Sequence, residues 1–328
     1  MLKEAIMILE CSRVFSLPMT IMSWLVVFTF AYVNSGNVYY GILAFVGICL
    51  AHLGTNLIDD FFDYKFLIKR VDFDKAEYLK HSQKTKCRYL ISGLMTEQKL
   101  LLTVASYFAL AFLIGLFLFF KCGIGVFYFA LAGGVIGILY PLASRFCLAE
   151  LAVGLAYGPA LFGGVYYVMT GMYSAEVFLL SIPTMIMTII LLYIHMVMDY
   201  SFDTEEGKKT IANRFNSQLD SLIVLKWLMI AGYSSLPILC VFDILDWQVF
   251  FVYITIPLAI DLYKSLVDFS NNPEQAPQRK WYHFPMENLE AFEKRNEDSF
   301  MFRMLQARNL MIYFSLFLVL AIVLSLAL

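Results

Sequence analysis

Nine times along this chain, about 20 residues pass with hardly a charge among them. A run of that length is what a helix needs to cross the roughly 30 Å hydrocarbon core of a bilayer. Inside lipid each backbone amide must be paired within its own segment or barrel, so apolar runs of this kind fold as helices. They fall at about 14–33, 39–62, 99–120, 123–142, 149–171, 175–198, 219–242, 247–268 and 309–327. Sixty per cent of the 328 residues are hydrophobic and only 15% charged, which excludes a soluble globular domain. The expected fold is all-α: a polytopic membrane protein with about nine transmembrane helices around a central cavity. One domain, 1–328, is expected, with polar loops at about 64–98, 200–217 and 270–308. The N-terminal stretch MLKEAIMILECSR lacks a basic leader followed by a small-residue cleavage site, so no removable signal peptide is expected. Cys11, Cys49, Cys87, Cys122, Cys147 and Cys240 are scattered without CxxC or zinc spacing and read as inert thiols.

The basic residues orient the spans. Of 24 Lys and Arg, nine lie within 65–99, three within 200–217 and six within 279–308. Lys3, Arg13, Arg145, Lys226 and Lys264 lie towards the same side, and Lys121 alone lies at the other. The positive-inside rule then places the N-terminus and the exits of even-numbered spans in the cytoplasm, with the protein integral to the cell membrane.

Two of those exits carry acids. In NLIDDFFDYK, Asn56, Asp59, Asp60 and Asp63 are spaced so that a helix puts them on one face, with His52 a turn earlier. In HMVMDYSFDTEEGKKT, His195, Asp199 and Asp203 follow at intervals of four. An acid at the centre of a bilayer helix costs about 2.5–3.5 kcal/mol, so acids within spans are functional candidates by default. Carboxylates crowded at one cavity repel unless cations sit between them. Oxygen-only ligands suit Mg²⁺, which takes one or two carboxylates plus substrate phosphates. Lys208 and Lys209 follow one cluster, and Lys65, Lys69 and Arg70 follow the other. Cations there can grip phosphate oxygens. A diphosphate ester bridged by Mg²⁺ accounts for both sets, and the lipid setting makes an isoprenoid chain the natural remainder. The bland alternative is solvated acids at headgroup level. Another is an ion-coupled transporter, which would favour acids near the midplane and interrupted helices.

These same residues resemble the UbiA family of intramembrane prenyltransferases. NLIDDFFDY is similar to the family's Asn-Asp-rich helix end, and DYSFDTEEGKKT to its paired Asp motif leading to Gly-Lys-x-Thr. RVFSLPMT, RYLISGLMT and AELAVGLAYGPALFGGVYYVMTG resemble the branch that prenylates 1,4-dihydroxy-2-naphthoate on the way to menaquinone. The chain departs from the family pattern in four places. Asp59 stands where Asn is usual, and the following acid is displaced to Asp72 or Asp74. Cys87 replaces the Pro before Arg88, and the 270–300 loop is long.

The resemblance implies a Mg²⁺-dependent transferase joining a polyprenyl diphosphate to an aromatic acceptor. Asp60, Asp63, Asp199 and Asp203 would hold Mg²⁺, with Asn56 and Asp59 as ligands or supports. Lys208 and Arg88 are the first choices for diphosphate oxygens, ahead of Lys209, Lys69, Arg70 and Arg145. Tyr140, at the family's Tyr-Pro position, would face the allylic cation, with Tyr157, Tyr166 and Tyr193 behind it. Arg13 or Arg145 would pair with a ring carboxylate. Gly154, Gly158, Gly163 and Gly164 would let a flat ring approach the fifth span, unless they serve helix packing. His52 and His195 would orient carboxylates or touch the acceptor. The acceptor could instead be 4-hydroxybenzoate, homogentisate, a porphyrin side chain or a lipid alcohol. The bilayer is the remaining partner; neither nucleic acid nor a protein partner is expected.

Overall fold

The computed structural model describes residues 2–70, 73–80, 87–205, 209–273, 275, 277–286 and 298–326. An N-terminal helix, Leu2–Cys11, precedes the spans. The spanning helices are α1 (Pro18–Val33), α2 (Val38–Leu67), α3 (Glu97–Cys122), α4 (Gly125–Arg145), α5 (Ala149–Thr170), α6 (Ala175–Met198), α7 (Gln218–Val241), α8 (Trp247–Asn271) and α9 (Asp298–Leu326). Among the described residues, eight of these are long and apolar enough to cross a membrane. The remaining one, α4, has a shorter apolar stretch, Gly125–Tyr140. The protein is an integral membrane protein, and the nine expected spans each have a helix.

Local chemistry sets the helix ends. Side-chain oxygens of Asn37, Thr96, Ser174 and Ser217 accept backbone N–H bonds at the starts of α2, α3, α6 and α7. Gly123 and Gly171 end α3 and α5 at φ +94° and +74°, a region that favours glycine. Pro237 and Pro257 sit near the starts of helical segments inside α7 and α8, where their missing N–H is least costly. The first half of α8, Trp247–Thr255, is wound as a tighter 3₁₀ helix.

Consecutive helices pack against one another around the bundle, and α9 returns to pack along α1, so the nine form a closed ring. The second half of α5 also touches α1, α2 and α6. Leu161, Phe162, Val165, Tyr166, Tyr167, Val168 and Met169 are all buried there. At this end the Asn37 amide donates to the Met169 carbonyl at 2.7 Å. The first half of α5 is less enclosed, and a π-turn at Ala156–Ala160, containing Pro159, separates the two halves. Single π-turns of this kind often mark functional regions. Alternate spans run in opposite directions, so the ends of α2 and α6 that carry the acids fall on one side of the ring.

The sequence places the last span at 309, but α9 begins at Asp298. Its polar first turns are supported by α8 and by residues 279–286. Arg303 is 1% exposed; its guanidinium donates to the Ser265 carbonyl at 2.8 Å and to the Ser299 carbonyl and hydroxyl at 2.7 Å. It also lies 4.8 Å from the centre of the Phe269 ring. Asp261 on α8 accepts from Lys280 at 2.7 Å, from the Tyr282 hydroxyl and from His283. Asn309 donates to the carbonyls of His283 and Pro285, both at 2.7 Å. Within the long loop, residues 279–286 thus form a strap bound to α8 and α9 by paired polar groups. Asn309→Ala strands two carbonyls and is expected to cost about 1–3 kcal/mol. A lower unfolding midpoint in detergent checks this; an unchanged one counts against the strap's contribution.

Candidate active site

The first acid face is built by α2 and the turn before α1. Cys11–Ser16 folds so that Arg13 takes a left-handed backbone conformation, φ 58°. This aims its guanidinium at α2. Arg13 Nη2 donates to Asp60 Oδ1, and Nη1 lies 3.9 Å from Asp59 Oδ2. Asp60 is 1% exposed, and an ionised carboxylate so buried requires a partner cation. Asn56 donates to the Ser12 carbonyl and to the Ser16 hydroxyl, each at 3.1 Å. The Ser16 hydroxyl donates to the Arg13 carbonyl at 2.8 Å and lies 2.9 Å from His52 Nε2. His52 Nδ1 is 2.6 Å from the Thr20 hydroxyl, which fits a neutral ring with its proton on Nε2. The His52 ring meets Tyr157, in the π-turn of α5, edge-on with centroids 5.5 Å apart. A chain of polar groups therefore links the acid face to the bend in α5.

Asp63 is half-buried on the same face of α2, about a turn beyond Asp59 and Asp60. Cys87 approaches from the following loop. It is 1% exposed, sits at φ 56°, and its thiol donates to the Asp60 carbonyl at 3.1 Å. A proline, held near φ −65°, could not occupy this conformation. The turn leads into a short helix, Arg88–Ile91, and Arg88 donates to the Leu79 carbonyl at 2.8 Å. Tyr89, the next residue, has a buried hydroxyl without a hydrogen-bond partner among the described residues.

The second acid face stands at the end of α6. The helix stops at Met198 with Asp199 as its cap, and a separate short helix, Tyr200–Glu205, follows. The expected spacing survives the break, because the Asp203 amide donates to the Asp199 carbonyl at 2.8 Å. His195 Nδ1 lies 2.9 Å from Asp199 Oδ2, while Asp203 is 2% exposed. Gln218 of α7 donates to the Val197 carbonyl at 2.7 Å and Tyr200 to the Phe215 carbonyl at 2.9 Å, fixing the segment from behind.

The structure brings Arg13, Asn56, Asp59 and Asp60 together, and joins His195 to Asp199. Tyr140 is half-buried near the end of α4, and Lys209 is exposed beyond the second face. Lys208 and Asp72 lie outside the described residues, as does the side chain of Arg145. Arg13, expected to reach for a ring carboxylate, is instead engaged by the chain's own acids. The fifth-span glycines are filled by neighbours: a Cβ on Gly154 would stand 2.6 Å from Ile189 Cδ1, one on Gly158 2.8 Å from Met185 Cβ, and one on Gly163 2.3 Å from Phe129 Cε1. They serve helix packing, so the flat-ring expectation is corrected. Sequence reasoning missed the Ser16–His52–Thr20 set and the Cys87 thiol. The spacing of four between Ser16 and Thr20 at the entry to α1, and between His52 and Asn56 on α2, was the available signal.

Among the described residues, no three His, Cys, Asp or Glu side chains form a ready-made metal cage. The donors nonetheless suit Mg²⁺. They are carboxylates, and buried Asp60 already holds a cationic group. Magnesium typically takes only one or two carboxylates and fills its octahedron with water and phosphate oxygens.

Comparison with known proteins agrees with this geometry. A 4-hydroxybenzoate octaprenyltransferase from Francisella tularensis subsp. mediasiatica is 24% identical over 254 residues, covering 76% of this chain and 81% of that one. Its counterpart from subsp. novicida matches at the same identity and coverage. In fold, a digeranylgeranylglyceryl phosphate synthase superposes with a TM-score of 0.59 at 14% identity, over 98% of this chain and 99% of that chain. A UbiA homologue from Archaeoglobus fulgidus, bound to GPP and Mg²⁺, gives 0.55 at 15% identity, over 95% and 99%. The UbiA prenyltransferase family model matches residues 16–289, most of the ring and both acid faces, and the chain is therefore a member of that family and a prenyltransferase.

Proposed function

We propose that the protein transfers a polyprenyl group from a polyprenyl diphosphate to an aromatic acceptor, with Mg²⁺ as cofactor. The observation that carries this reading is the pair of acid faces, on α2 and at the end of α6, on one side of a closed helical ring. Asp60 and Asp63 on one face, and Asp199 and Asp203 on the other, would hold the metal, with Asn56 and Asp59 in support. Bound Mg²⁺ supplies positive charge at the leaving diphosphate. Arg88 follows the first acid face in sequence and Lys208 and Lys209 follow the second; these, with Arg145 at the end of α4, would grip phosphate oxygens. The allylic C–O bond breaks with its electron pair leaving on the diphosphate. An electron-rich ring carbon then forms the new C–C bond, and the ring loses a proton or, where a carboxylate occupies that carbon, carbon dioxide. Tyr140 would offer its ring face to the allylic cation, a contact worth about 0.5–2 kcal/mol. Exclusion of water by the surrounding spans strengthens each electrostatic contact.

For the acceptor we propose 1,4-dihydroxy-2-naphthoate, within menaquinone biosynthesis, supported by the resemblance of the Arg88–Gly93 turn and of the AELAVGLAYGP segment of α5. A 4-hydroxybenzoate acceptor is the second reading, favoured by the names of the curated relatives. The basic residues gathered on the acid side support a site facing the cytoplasm, in the cell membrane. One assay tests these points. Membranes holding the protein are given a polyprenyl diphosphate, Mg²⁺ and either acid, and the lipid products are weighed. A decarboxylated prenyl-naphthol product is expected, and chelating the metal should lower the rate by roughly 100-fold or more. A product from the benzoate alone overturns the acceptor, and full activity in chelator overturns the metal.

A further inference from the structure

We infer that Arg13 is the resident counter-ion of the first acid face, which the metal must displace and which the diphosphate then receives. The inference rests on the reading of that face as the metal site. Its observations are geometric. One nitrogen of the guanidinium bonds to Asp60 Oδ1, an oxygen assigned to the metal, while the other faces Asp59. Two cations cannot share that buried oxygen without repelling each other. The Arg13 backbone is fixed by its neighbours: Asn56 holds Ser12 and Ser16, and Ser16 holds the Arg13 carbonyl. Its side chain, 23% exposed, is less confined than Asp60 at 2%. A pinned backbone with a long side chain lets the guanidinium swing without moving α1.

The charges give the exchange a direction. Asp59, Asp60 and Asp63 bring three carboxylates to this face, and Arg13 bonds to one of them and faces a second. A divalent ion arriving alone must break the Arg13–Asp60 bond and brings no anion to replace it. A divalent ion arriving with a diphosphate brings that anion, and a guanidinium fork matches phosphate oxygens well. Arg13 therefore weakens metal binding in the empty site and couples it to diphosphate binding, and the coupling is reciprocal. Asp59 fits this scheme, because it sets a second carboxylate facing the fork.

The test measures metal retention directly, using Mn²⁺ in place of Mg²⁺ and the free-ion EPR signal as readout, with inorganic pyrophosphate as the anion. Wild type should bind Mn²⁺ weakly alone and at least tenfold more tightly with pyrophosphate. Arg13→Gln should bind Mn²⁺ alone about tenfold more tightly than wild type and gain little from pyrophosphate. Arg13→Lys, which keeps the charge, should restore most of the coupling and serves if the Gln variant does not fold. A folded Arg13→Gln protein with unchanged or weaker Mn²⁺ binding overturns the exchange, as does an Arg13→Lys protein that shows no coupling. Failure of the metal-site reading looks different: wild type and Asp63→Asn would then retain Mn²⁺ equally with pyrophosphate present.

Discussion

Asp63→Asn and Asp199→Asn are each expected to lower prenyl transfer by roughly 10²–10⁴-fold while leaving folded yield unchanged. Asn keeps the shape and one oxygen but loses the charge that would hold Mg²⁺ against a departing diphosphate. These two acids are chosen because Asp63 is half-buried and Asp199 has a side chain 28% exposed. Replacing Asp60 or Asp203, at 1% and 2% exposure, would disturb packing as well, and Asp60→Asn would also strip Arg13 of its carboxylate. Initial rates in liposomes and elution profiles in detergent separate the two effects. Near-normal rates for both variants would remove the assigned metal role.

Gly158→Leu should be the most damaging change away from the acids. Its new Cβ would stand 2.8 Å from Met185 Cβ and 3.1 Å from Met185 Cγ, and Met185 Cβ is fixed to the α6 backbone. Overpacking of this kind costs about 1–3 kcal/mol, and the further side-chain atoms of Leu add to it. Because α6 carries Asp199 at its end, pushing α5 and α6 apart should reduce activity along with stability. Met185→Gly, which removes the opposing Cβ, should recover part of the loss when combined with it. The measurement is the midpoint of thermal unfolding in detergent for the two single variants and the pair. Strict additivity would mean that these two residues do not press on one another.

Much of this was legible from residue order, for identifiable reasons. Spans are set by length and hydropathy, which depend on local sequence, so all nine could be found from the chain alone. The acid faces depend on helical periodicity, and Asp203 kept its register with Asp199 even across the helix break. The start of α9 was not legible, because Arg303 and Asn309 are polar and only their partners on α8 and the strap make them fit. Nor was the role of Arg13, which depends on a left-handed turn and on a partner 47 residues away. The glycines of α5 carried a signal for closeness without saying what came close: α6 presses on Gly154 and Gly158, and Phe129 of α4 on Gly163.

The closure of α9 onto α1 has a consequence for how the protein is made. Synthesis proceeds at about 5–20 residues per second, so α1 emerges on the order of tens of seconds before its final neighbour exists. The face of α1 that α9 covers in the finished ring must wait in lipid or against a temporary partner. The last contact to form is thus among the most distant in sequence, and assembly ends with a slow, non-local step. A chain shortened at its C-terminus would insert eight spans correctly and still be left as an open arc.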